Sequence, residues 1–355
     1  MKKIPAILAC VAETRGVQIA RLSLLDRLIV AAQRAGCAPI YLIAKTTPSV
    51  PRACALGIGI TPVSEIPELD EPALLINGAV FVDTVDLQRV IEERGQLFST
   101  DDARLPVGMT TGEAAPVIAG KVAVLVTDAS SVREAERRLW ESLASNADGI
   151  VDRFLNRPLG RYLSKILIHV PFSPNQVSIV STLVGILSGW FFAIGYFISG
   201  ALLLQLSAII DCVDGDLARV LHKESRLGKW LDLVGDQFVN IAVFAGIGFG
   251  LARSDPASPA LALGISAVLG VIISFAVIVC FMQRRSGGKS SGLKKLIDTT
   301  TNRDFSLLVL VLAIAGKLDL FLWMAGIGVH LFWIIALRSQ WRDTGRAPAI
   351  PEESA

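Results

Sequence analysis

The sequence predicts an N-terminal α/β domain with a mostly parallel sheet, followed by an all-α membrane domain of six spans. Three observations lead there. Residues 1 to about 145 carry mixed charges and short apolar runs, whereas from about Pro174 long apolar stretches are broken by short polar ones. In the first part, strand-like runs alternate with helix-like ones. In the second, basic residues gather in every other connection. The chain has 355 residues, is 52% hydrophobic and carries a formal net charge of +2, which says little because the charges are segregated. The expected divisions are 1–145, 146–173, 174–340 and a tail, 341–355.

The start, MKKIPAILACVAETRG, has two lysines before an apolar run. The run is short and a globular pattern follows directly, so residues 4–12 read as a buried first strand rather than a signal peptide. Residues 22–35 read as an amphipathic helix, 39–44 as a second strand, 73–77 and 80–83 as further strands, and 84–94 as a helix. KVAVLV at 121–126 and a helix at 130–144 close the domain. The five cysteines form no CxxC pair and read as small buried thiols in a reducing compartment.

In residues 146–173, Ile150, Phe154 and Leu155 recur at helical spacing with Arg153, Arg157, Arg161 and Lys165 on other faces, the pattern of a basic amphipathic helix lying on a membrane. Ser-Pro-Asn at 173–175 breaks the chain before the first span. The spans are expected at about 176–198, 200–220, 228–252, 259–282, 305–315 and 318–337, the fifth being short for a bilayer. Lys223, Arg226 and Lys229 follow span two; Arg284, Arg285 and Lys289 follow span four; Arg338, Arg342 and Arg346 follow span six. The positive-inside rule then puts both termini on the cytoplasmic side of an inner or plasma membrane.

Near the adjoining ends of spans two and three the chain carries Asp211, Asp214, Asp232 and Asp236. Spacings of three and four put each pair on one helix face. A charged side chain deep in a bilayer is costly, and four facing carboxylates repel, so a divalent cation is the natural partner. An all-oxygen ligand set suits a hard cation, Mg²⁺, Mn²⁺ or Ca²⁺, rather than Zn²⁺, and four carboxylates can hold two such ions, a geometry used in phosphoryl chemistry; Mg²⁺ or Mn²⁺ is the expectation. Gly215, Ala218 and Gly228 are small enough to let a bulky ligand approach, and Arg219 offers donors to phosphate. Asp216 falls on another face and is expected to point to solvent or a loop, and Cys212 reads as packing.

The run Asp211, Asp214-Gly215, Ala218-Arg219, eight residues, Gly228, Asp232, Asp236 resembles the signature of the CDP-alcohol phosphotransferase family at all eight positions. The resemblance covers about 148–338, including Pro174-Asn175. It implies that the four aspartates bind two divalent metals gripping the diphosphate of a CDP-alcohol. It also implies that Asp214, Gly215, Ala218, Arg219 and Gly228 contact the cytidine diphosphate. Asp236 would accept the proton of the attacking hydroxyl, and CMP would leave. The acceptor, an alcohol or a phospho-alcohol such as inositol phosphate or glycerol phosphate, calls for cations: Arg284, Arg285, Lys289 and Arg226 are the candidates. A homodimer in the bilayer is expected, and no nucleic-acid partner. Competing readings are a transporter, which predicts acids at the bilayer midplane and inverted repeats, and a non-catalytic scaffold, against which the complete motif argues.

The N-terminal part resembles sugar-phosphate nucleotidyltransferases in LSLLDRLIVAAQRAGCAPIYLIA and ALLINGAVFVD. It departs from them where they have a glycine-rich phosphate loop. Here VAETRGVQIARL has one glycine, Gly16, and Ala79 stands where they place a metal-binding aspartate. The domain therefore reads as degenerate, serving as scaffold, dimerisation element or acceptor carrier. Glu13, Arg15 and Arg21 are the residues that argue the other way.

Overall fold

A computed structural model describes residues 3–10, 16–44, 48–99, 103–110, 115–143, 151–284 and 305–344. Side chains are described up to Cys280 in the fourth apolar helix and up to Arg338 in the last. Glu13, Arg15, Arg285 and Lys289 lie outside the described residues, and so does the side chain of Arg284. The chain forms two compact units, one made of Met1–Leu143 and one made of most of the remainder.

In the first unit, β1 (Ile4–Ala9) is an interior strand of a seven-stranded sheet. It pairs in parallel with β4 (Cys37–Ile43) and β6 (Leu74–Asn77), and β5 (Ile60–Val63) extends the sheet beyond β4. On the other side lie β9 (Arg104–Met109), antiparallel to both neighbours, then β8 (Gln96–Phe98) and β10 (Val117–Ala119). The apolar run of β1 and the inward residues of β4 and β6 bury Leu8, Ile40, Leu42, Leu74 and Ile76 in one core with Leu28 and Ile29 of α1 (Leu24–Arg34). Helix α1 begins at Ser23, whose hydroxyl accepts the Asp26 amide at 3.0 Å, and carries Arg34 in its last turn. Helices α2 (Pro51–Ala55), α3 (Thr84–Glu93) and α4 (Ala129–Ser142) complete the unit. Two small antiparallel pairs flank it: β2 (Gln18–Ile19) with β3 (Leu22–Ser23), and β7 (Val80–Phe81) with β11 (Val124–Leu125).

The expected strand 121–126 is thus only two residues long and belongs to a separate pair. Six of the described strands went unpredicted, β2 and β3 being only two residues each. β5 contains Pro62 and is tolerated because it is an edge strand. β9 contains Pro106 and Gly108, and its pairing with β8 is irregular between Gln96 and Phe98. β8 and β10 are three residues each, too short for periodicity to register.

The first described element of the second unit is a π turn, Asp152–Asn156, running into α5 (Arg157–Leu167). Its inward face is small and polar: Asn156, Gly160 and Ser164 are buried. A methyl on Gly160 would come within 2.9 Å of Cys212 Cβ, so the backbone of α5 lies close against the next helices. Its outward face exposes Phe154, Leu159, Tyr162 and Ile166. Asn156 accepts from Gln205, which accepts in turn from Ser306.

The apolar helices are α6 (Pro174–Ala193), α7 (Phe197–Val220), α8 (Arg226–Ser254), α9 (Ala260–Arg284), α10 (Phe305–Ile314) and α11 (Leu318–Thr344). Five are long and apolar enough to cross a membrane; α10 is shorter, as its sequence foretold. A capping box at Ser173 and Gln176, with Pro174 in the first turn, fixes the start of α6. Gly195, at φ +90°, supplies the left-handed residue that turns the chain into α7.

Candidate functional site

Three carboxylates meet where α6, α7 and α8 come together. Asp211 and Asp214, three apart in the C-terminal part of α7, and Asp232, in the second turn of α8, each offer an oxygen within 4.8 Å of the others. Asp214 is buried, Asp211 half-buried and Asp232 exposed, so the group runs from the helix interior to the surface. Asp236 is half-buried one turn further along α8 and is not part of that group. The donor set fits a hard divalent cation: carboxylate oxygens alone, closely grouped, with no His or Cys among them.

Helix α6 supplies what the sequence reading missed. Ser178 donates to Asp214 Oδ2, and Ser181 donates to Asp211 Oδ1 at 3.1 Å. The two serines are three apart, as are the two aspartates, so adjacent helices match in register. The only sequence signal was a pair of hydroxyls after Pro174-Asn175, indistinguishable alone from ordinary small residues in a span.

Beside the carboxylates lies a cleft of about 230 Å³. Its walls include Asp214, Gly215, Ala218, Arg219, Gly228 and Asp232, which the motif had singled out, and also Asn175, Ser178, Lys223 and Lys229. Lys223 and Lys229 had been read as topology-setting charges. Arg226, an acceptor candidate, is exposed at the start of α8 and is not on the cleft wall. The glycines differ in what occupies their missing side chains. At Gly215 a Cβ would sit 3.3 Å from an Arg219 guanidinium nitrogen, so that guanidinium lies over the glycine. At Gly228 a Cβ would sit 2.8 Å from Asn175 Oδ1, so the space is filled by α6.

Asp216 is a correction. It is 1% exposed rather than facing solvent or a loop. Its Oδ1 accepts from Arg157 at 3.1 Å and from Arg219 at 2.7 Å. Helical spacing turned it away from Asp211 and Asp214 as expected, but the direction it faces is covered by α5, which the spacing within α7 alone does not reveal.

A second, apolar groove of about 310 Å³ runs between α6 and α8 and shares Ser178 with the cleft. Ile179, Leu183, Trp230, Val234 and Phe238 line it.

Residues 172–341 match the sequence profile described as CDP-alcohol phosphatidyltransferase. The bifunctional IPC transferase and DIPP synthase of Thermococcus kodakarensis is 34% identical over 110 residues, 31% of this chain and 25% of that protein. The phosphatidylinositol phosphate synthase of Streptomyces avermitilis is 29% identical over 196 residues, 53% of this chain and 76% of that one. The chain thus spans about a quarter of the length of the bifunctional relative. Among solved structures, the phosphatidylinositol phosphate synthase of Mycobacterium tuberculosis with CDP-DAG bound aligns at a TM-score of 0.40 and 17% identity, over 56% of this chain and 99% of that one.

Proposed function

Through residues 172–341 the chain belongs to the CDP-alcohol phosphatidyltransferase family, and from that premise we propose that it transfers the phospho-alcohol group of a CDP-activated lipid to an acceptor hydroxyl, with release of CMP. The observation that carries this reading is the coincidence of an acidic group and a basic, small-residue cleft on the same three helices. A nucleoside diphosphate needs both: cations to offset its charge, and room for its backbone to approach the helices.

Asp211, Asp214 and Asp232, with Asp236 beside them, would hold two divalent ions, Mg²⁺ or Mn²⁺. When bound, these ions offset the charge of the diphosphate and of the departing CMP. Arg219, Lys223 and Lys229 orient phosphate oxygens from the cleft wall. Asp236 takes the proton of the acceptor hydroxyl as its oxygen bonds to the phosphorus bearing the lipid alcohol, and the bond from that phosphorus to CMP breaks.

The apolar groove favours a donor with an acyl chain over a CDP-polyol, because a chain leaving the cleft at Ser178 meets a continuous apolar wall. The name of the Streptomyces relative supports an inositol-phosphate type of acceptor. Arg226, Arg284, Arg285 and Lys289 remain the candidate cations for its phosphate, with both termini and the site on the cytoplasmic face. The test is CMP release by purified protein with Mn²⁺ or Mg²⁺ against a panel of donors and acceptors. Release only with a CDP-lipid and one phospho-alcohol supports the reading. Release with CDP-inositol but no CDP-lipid overturns the donor, and none with any pair overturns the reaction.

A further inference from the structure

Asp216 falls between the motif's specified positions, yet it is a buried carboxylate shared between two guanidinium groups. Its second oxygen, Oδ2, is buried without a hydrogen-bond partner among the described residues, so the two arginines, both bound through Oδ1, are what compensates its charge. Asp216 is not on the cleft wall, but Arg219 is. The Arg219 side chain is 38% exposed and held at two places, by Asp216 at 2.7 Å and by the open surface of Gly215. Arg157 comes from α5, and its side chain is 18% exposed.

Charge decides what such a trio can do. Asp216 with Arg219 alone is neutral, and a phosphate would have to compete with the carboxylate for the guanidinium. With Arg157 present the trio carries one net positive charge. Resting on the reading of this cleft as a CDP site, we propose that Asp216 is a positioning residue for the nucleotide. Shared with Arg157, it aims the Arg219 guanidinium into the cleft, and Arg157 supplies the charge that leaves Arg219 able to hold a phosphate of a nucleoside diphosphate.

The test is a pair of double-mutant cycles read by CDP binding to the purified full chain with Mn²⁺ present. Asp216→Asn and Arg157→Gln are each combined with Arg219→Gln. Asp216→Asn weakens CDP binding by about tenfold, the scale of one well-aimed charge-assisted hydrogen bond. Arg157→Gln weakens it in the same direction. In the Arg219→Gln background neither substitution weakens it further, because both act through Arg219. A full additional loss in that background shows a scaffolding role and overturns the proposal, as does wild-type affinity in Asp216→Asn. Should Asp216→Asn not yield folded protein, the Arg157 cycle decides by the same criterion. Absence of CDP binding in the unsubstituted chain overturns the reading of the cleft itself, a result distinct from additivity among variants that bind.

Discussion

At the scale of single residues, two hydroxyls and a carboxylate divide the labour of the site. Ser178 and Ser181 restrain Asp214 and Asp211 from the side. Partners that orient ligating carboxylates are worth roughly 10–100-fold in metal affinity. Ser178→Ala is therefore expected to raise the Mn²⁺ concentration for half-maximal CMP release by about tenfold, with the rate at saturating metal much less affected. Asp236 stands outside the close acidic group, which suits a base better than a ligand shared by all. Asp236→Asn should lower CMP release by about 10²–10⁴-fold while CDP binding persists. CMP release at the unsubstituted rate would remove the assignment.

At the scale of elements, the contact between α6 and α8 depends on missing side chains. A Cβ on Gly246 would lie 2.1 Å from Gly189 O, and one on Gly250 would lie 2.1 Å from Phe192 O. Small residues let helix backbones approach closely where lipid offers no hydrophobic drive to association. Gly246→Ala is expected to cost about 1–3 kcal/mol by overpacking, seen as earlier thermal unfolding in detergent. In the first unit, α4 carries Glu134 between Arg137 and Arg138, at 2.7 and 2.6 Å. Their hydrogen bonds hold the Glu134 carboxyl down to about 2 from its ordinary 4.5. A depressed carboxyl adds stability above its unfolded value, which is lost as pH falls through the folded one. The first unit should therefore lose a small increment of thermal stability between about pH 4.5 and about pH 2. Glu134→Gln should flatten that slope, the effect being small because the pair is at the surface.

At the scale of the whole molecule, the two units divide buried polar chemistry differently. In the first, buried charges serve the backbone. Asp26 accepts the Arg52 and Ala53 amides, Asp86 accepts those of Lys121 and Val122, and Arg27 donates to Ile19 O. In the second, the acidic group and the cleft converge. Removal of residues 1–143 is accordingly expected to leave CMP release and its cation dependence in place. Loss of release from a folded, membrane-inserted remainder would assign the first unit a part in the chemistry. The placement of the acids, near the α7 and α8 ends that adjoin each other, also speaks for a site at a membrane edge rather than a midplane ion path.

Local rules in the sequence determined much of this protein. Apolar length announced the membrane helices, short apolar runs announced β1, β4 and β6, and a spacing of three announced that Asp211 and Asp214 share a helix face. These features repeat within one element, so the chain itself carries their signal. Contacts between elements were decided only in three dimensions. The serines of α6 facing the aspartates, the lysines on the cleft wall, and the burial of Asp216 beneath α5 join residues 30 to 59 positions apart. No periodicity in one segment encodes which side chain another segment will lay against it. Packing sets that, by bringing distant faces together and making a partner of whatever they present.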